Sequence, residues 1–196
     1  MKFHYMGKFD GNIESLPKRE HEPNAVMFKE PDNMERFAVI TTIASLVVLL
    51  VLSFISFIIS GEVVFNWWGW LLFMLCLAVH EFLHAICFKD DVYMYTNLSQ
   101  GNLFVLGPEA MTKFRFCFMS MLPCIILGII PYVCFLVNNE FITLGTLGIL
   151  SLSSCVGDWL NVFNAITQMP KGAKTYISGM NSYWYIPESK KEENEE

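Results

Sequence analysis

The stretch WWGWLLFMLCLAVHEFLHAICF, running from Trp67 to Phe88, decides how this chain must be read. It is an apolar run opened by Trp67, Trp68 and Trp70, with His80, Glu81 and His84 set in its interior. At 1.5 Å rise per residue a helix of this length crosses a hydrocarbon core about 30 Å thick. Tryptophans suit the interface at its start. Ionisable side chains inside such a span are costly and mark function by default, so those three residues demand an explanation.

Outward from this run the same pattern repeats. Ala38 to Ser60 carries no charged residue and predicts a first span. Phe116 to Val137 predicts a third, interrupted by Pro123, Gly128 and Pro131, breakers that are tolerated where neighbouring helices satisfy the freed carbonyls. Phe141 to Gln168 predicts a fourth, rich in small residues (Gly145, Gly148, Ser151, Ser153, Ser154, Gly157) and with Asp158 as its one ionisable group. A hydrophobic content of 54% and a mean hydropathy of +0.41 are too apolar for a water-soluble domain of this size.

The expected architecture is an all-α integral membrane protein with four transmembrane helices at about 38–60, 67–88, 116–137 and 141–168. Together these form a four-span domain over 38–169. Residues 1–37 form an N-terminal segment without the apolar stretch and small-residue cleavage site of a secretory signal, so this segment is expected to be retained and polar. Residues 170–196 form a tail whose acidic end, from Glu188 to Glu196, reads as solvated. Between the second and third spans, Val92 to Thr96 and Leu103 to Leu106 predict a small hairpin turning at Asn97 to Gly101.

Charge orients these spans. The segments 1–37, 89–115 and 170–196 hold 6, 3 and 4 Lys/Arg, together all 13 in the chain. The opposite connections, near 61–66 and 138–140, hold none. The positive-inside rule therefore puts both termini and the hairpin in the cytoplasm of a multi-pass plasma-membrane protein. The net charge of −6 gives no sign of nucleic-acid binding. The six cysteines, Cys76, Cys87, Cys117, Cys124, Cys134 and Cys155, all lie in or beside apolar runs and read as reduced, packed thiols.

His80-Glu81-Phe82-Leu83-His84 matches His-Glu-x-x-His, in which residues i and i+4 of a helix project from one face and two imidazoles converge on one ion. Glu81 then lies beside a metal-activated water rather than on the metal. Zinc in an open catalytic site needs a third protein ligand. His80 lies eight residues before Phe88, and Asp158 lies at a similar remove from the inner end of its own span. Both thus fall roughly 12 to 15 Å from the cytoplasmic boundary and can meet.

The competing acids fit less well, since Glu62 and Glu140 fall on the outer side, and Asp90, Asp91 and Glu109 lie in the hairpin segment. Cys76 and Cys87 share the His80/His84 face and keep a thiolate ligand open. Asp158 as a structural acceptor, and the two histidines as packed core residues, also stay open. On the fourth span Ser154, Asp158, Asn161 and Ala165 share a face, so Asn161 is a candidate for orienting a ligand or contacting substrate backbone.

With its His-Glu-x-x-His at 80–84 and Asp158 two spans later, the chain resembles a bacterial family of zincin peptidases of unknown function, and more distantly the site-2 membrane metalloproteases. The closer likeness includes Leu16-Pro17-Lys18, Met27-Phe28-Lys29-Glu30-Pro31, Met121-Leu122-Pro123 and Gly157-Asp158. It implies a three-span catalytic core in spans two to four, with His80 and His84 as zinc ligands, Glu81 as base and Asp158 as third ligand. The chain departs from the site-2 pattern, Leu-Asp-Gly with a preceding Asn and Pro, because it reads Val156-Gly157-Asp158-Trp159.

The function expected is that of a zinc metalloprotease acting on a membrane protein or peptide substrate in or near the bilayer. Its alternative is a non-proteolytic zinc-binding membrane regulator or assembly factor whose metal only staples helices. A metal-free polar core is the third reading.

Overall fold

A computed structural model of the chain describes residues 2–31, 34–97 and 102–188. The chain divides into two units: Met1–Glu30, Glu81–Met119 and Asn161–Glu196 form the first, and Pro31–His80 with Ser120–Leu160 form the second. The second is helical. Among the described residues the first carries seven strands, which corrects the all-α expectation: the fold is α/β.

In the first unit β1 (Lys2–Lys8) runs parallel to β3 (Asp91–Asn97), which pairs antiparallel with β4 (Asn102–Leu106), giving a three-stranded sheet in the order β1-β3-β4. The two strands predicted at 92–96 and 103–106 are therefore present but not isolated. The residues between them, 98–101, lie outside the described residues, as does the acidic end from Ser189 onward. A four-stranded antiparallel sheet in the order β2-β7-β6-β5 joins Val26–Met27, Asn181–Tyr185, Lys174–Ser178 and Met111–Thr112.

The N-terminal segment escaped a strand reading because its pairing partner lies some ninety residues downstream; Phe3, for instance, faces Val92. The C-terminal hairpin did leave a local signal. β6 and β7 are joined by Gly179 and Met180, and Gly179 takes φ +63°, the left-handed value that a two-residue hairpin turn opened by glycine requires. The unit's core gathers Phe28, Ala85, Phe88, Val92, Met111, Phe116, Met119, Ala165 and Met169.

The second unit begins with α1 (Met34–Ser60). Leu50, Phe54 and Ile58, one turn apart on this helix, are each about two-thirds exposed, so one of its apolar faces lies largely open. Helix α2 (Trp67–Ala85) starts where the Asn66 side-chain oxygen accepts the backbone N–H groups of Trp68 and Gly69, satisfying donors that a helix start leaves orphaned. It ends three residues before the predicted Phe88. His80 and His84 therefore stand in its last turn and a half.

Two further helical stretches are interrupted. α3 (Lys113–Pro123) passes through a π turn at Cys124–Ile129 into α4 (Ile130–Val137), the break following directly on Pro123. α5 (Ile142–Ser154) and α6 (Val156–Gln168) meet at Cys155 with a bend of 49° where a single span was expected. The Ser153 hydroxyl donates to the Ile149 carbonyl and that of Ser154 to the Ser151 carbonyl, and such back-bonding bends helices.

Helices α4 and α5 approach closely at Gly148. A Cβ there would come within 2.6 Å of the Tyr132 backbone nitrogen. Among the described residues, Glu35–Ser60, Trp67–Ala85 and Lys113–Val137 are long and apolar enough to cross a membrane, and the α5–α6 pair makes a fourth if read as one span.

Candidate metal centre

His80 and Asp158 meet. His80 Nε2 and Asp158 Oδ2 stand 3.2 Å apart, with both side chains largely buried at 14% and 13% exposure. The sequence did not reveal the bend at Cys155 that precedes Asp158. That bend starts a new helix, and Asp158 falls in the first turn of α6, where a carboxylate is favoured by the helix dipole. His84 follows His80 by one turn on α2. One ligand atom from each of His80, His84 and Asp158 lies within 4.8 Å of the other two.

This donor set fits zinc. Two ligands at about 2.0–2.1 Å from a tetrahedral ion stand about 3.3–3.4 Å from each other, close to the His80–Asp158 separation. As a set of three protein donors, this group would leave a fourth position for water, as catalytic zinc sites do. Glu81 belongs to α2 between the two histidines but not to the convergent group, which suits a base that reaches the centre through water.

His84 is held from behind. His84 Nδ1 lies 2.9 Å from the main-chain oxygen of Met119. A carbonyl only accepts, so Nδ1 donates, and in a neutral ring with that tautomer Nε2 is the nitrogen able to ligate a metal. Beside the site Trp159 Nε1 donates to Cys124 Sγ at 3.2 Å, and both thiols of Cys124 and Cys155 are buried. Neither the Met119 carbonyl nor this tryptophan–thiol contact was foreseen. The signal for the first was Pro123, four residues beyond Met119.

The other candidates stand elsewhere. Cys76 and Cys87 are free thiols outside the group, and Cys87 Sγ contacts the Leu83 carbonyl of its own helix. Asp91 pairs with His4 at 3.3 Å. Glu109 pairs with Arg115 and accepts the backbone N–H groups of Lys89 and Asp90. Burial alone would raise its pKa, but the guanidinium and the two amides outweigh burial and hold it below the ordinary carboxylate value. Asn161 is half-buried, three residues beyond Asp158 on the same face of α6.

Within the second unit an open groove of about 430 Å³ runs between α1 and the α5–α6 bend. It is lined by Thr41, Thr42 and Ser45 on one side and Ser153, Ser154 and Gly157 on the other. Gly157 precedes Asp158 in the chain.

Residues 71–174 match a family model described as putative zincin peptidase. No curated protein and no solved structure matches the chain.

Proposed function

The chain belongs to the family described as putative zincin peptidase, and from that premise we propose that it is a membrane-embedded zinc metalloprotease that hydrolyses peptide bonds in or near the bilayer. The observation that carries this reading is the convergence of His80, His84 and Asp158 around one point, with Glu81 next to His80 on the same helix.

The membrane reading is supported by the apolar helices and by strand pairing. β1 pairs with β3, β2 with β7 and β5 with β6, so the N-terminal, central and C-terminal segments share common sheets. Segments that pair must lie on one side of a bilayer. This requires an even number of crossings between β1 and β3, met by α1 and α2. It requires the same between β5 and β6, met if α3–α4 and α5–α6 each cross once. Those three segments also hold all 13 Lys/Arg, which favours the cytoplasm for both termini.

When bound, zinc supplies Lewis acidity toward a peptide carbonyl and toward water. The residues do the rest. Asp158 and the two imidazoles would hold the ion. The Glu81 carboxylate takes a proton from the water as its oxygen bonds to the carbonyl carbon. Glu81 then passes that proton to the departing amine nitrogen as the C–N bond breaks. A substrate helix has its carbonyls internally bonded, so the scissile segment is a locally unwound part of a membrane polypeptide.

The test uses a model single-span polypeptide with a helix-breaking Asn-Pro centre, incubated with the full chain in lipid nanodiscs. Wild type is expected to cut near the centre and to lose the activity to a zinc chelator. Glu81→Gln should keep its zinc and lose about 10²- to 10⁴-fold in rate. Full activity in Glu81→Gln would remove the proposed base, and a protein whose biological role survived that change would hold its metal for structure alone.

A further inference from the structure

We infer that Pro123 is a positioning residue for His84: it withholds the backbone N–H that would otherwise occupy the Met119 carbonyl, leaving that oxygen to hold Nδ1 and aim Nε2 at the ion. The inference rests on the zinc reading of the site. In an α-helix the carbonyl of residue i accepts the N–H of residue i+4. For Met119 that residue is Pro123, which has no N–H, and a proline ring inside a helix crowds the carbonyl four residues before it.

Met119 is 6% exposed, so an unmatched carbonyl there would be costly. His84 supplies the donor at 2.9 Å. The bond fixes both the ring's orientation and its tautomer, the two properties that a ligand's outer partner controls in metal sites. The π turn that follows, Cys124–Ile129, is the same interruption continued.

A proline that served only to kink the helix would act through shape, whereas this one acts through a missing hydrogen, and the two are separable. Pro123→Ala restores the N–H as a competitor for the Met119 carbonyl. Placing lactic acid at position 123 instead puts an ester oxygen where the amide was, removing the N–H without the ring. Zinc affinity is read by competition with a chromophoric chelator on the full chain in nanodiscs, and the His84 tautomer by ¹⁵N chemical shifts in the metal-free protein.

Pro123→Ala is expected to weaken zinc about 10- to 100-fold, the range for loss of an outer partner, to erase the protonated-Nδ1 signature of His84 and to leave the protein folded. The ester should recover most of the affinity and the signature. Wild-type affinity in Pro123→Ala, or a folded ester variant as weak as Pro123→Ala, would overturn the inference. Should the wild type itself take up no zinc, the metal reading fails. The tautomer measurement then still decides the role of Pro123, because an unchanged His84 signature in Pro123→Ala refutes it.

Discussion

The two interrupted helices of this protein break for different reasons and serve the site in different ways. The α3–α4 stretch is broken by Pro123, a covalent feature visible in any reading of the sequence. It yields a main-chain oxygen that grips His84 from behind. The α5–α6 stretch contains no proline and bends by 49° at Cys155, where two serine hydroxyls bond back to their own helix. It yields the proposed third ligand, because Asp158 is carried into the first turn of a new helix. Between them α2 is unbroken and carries both histidines. An interruption in an apolar helix thus exposes either a backbone group or a helix start, and the candidate site has one of each.

The comparison breaks most severely if the ligands themselves go. His80→Ala with His84→Ala should abolish zinc binding, since the unbroken helix then offers no imidazole. Asp158→Ala should leave zinc well below one per folded protein, a greater loss than that expected from Pro123→Ala. Metal analysis of the folded fraction of each variant, set beside wild type, tests the order. Full zinc in a well-folded Asp158→Ala protein would make the α5–α6 bend a structural feature only.

A smaller effect sharpens the view that close helix contact holds the bend in place. At Gly148 the α4 backbone lies where a side chain would go. Gly148→Val should therefore cost about 1–3 kcal/mol of stability through overpacking, while the folded fraction keeps its zinc. Thermal unfolding with metal content of the surviving fraction reads both. An unchanged midpoint would mean the two helices part easily.

The smallest effect concerns the serines. Ser153→Ala with Ser154→Ala removes both back-bonds, yet the Cys155 N–H still reaches only to the Leu152 carbonyl. The double variant should shift stability by less than about 1 kcal/mol and weaken zinc less than Pro123→Ala does. A loss equal to that of Asp158→Ala would show that the hydroxyls alone make the bend.

Much of the site was legible because its signals are local. His80, Glu81 and His84 announce themselves by spacing on one helix, and Asp158 by being the lone acid in an apolar run. Equal depth from a boundary does not by itself bring His80 and Asp158 together, since α2 ends at Ala85 rather than Phe88 and the fourth stretch is bent. The fold class was misread because β1 and β2 pair with strands that lie far away in the chain, and short strands among charged residues resemble polar tails. The β6–β7 hairpin is the exception. Its Ile-Ser-Gly-Met-Asn-Ser-Tyr run carries a recognisable turn between β-branched and aromatic residues that went unread.

Zinc-edge X-ray absorption of the purified wild-type protein tests the proposed metal centre most directly, because it reports ligand atoms and distances without relying on any substitution. Two imidazoles and the Asp158 carboxylate predict nitrogen and oxygen neighbours alone, at about 2.0–2.2 Å. A sulfur neighbour at about 2.3 Å would instead bring a cysteine into the site, and a protein that takes up no zinc at all would contradict the centre outright.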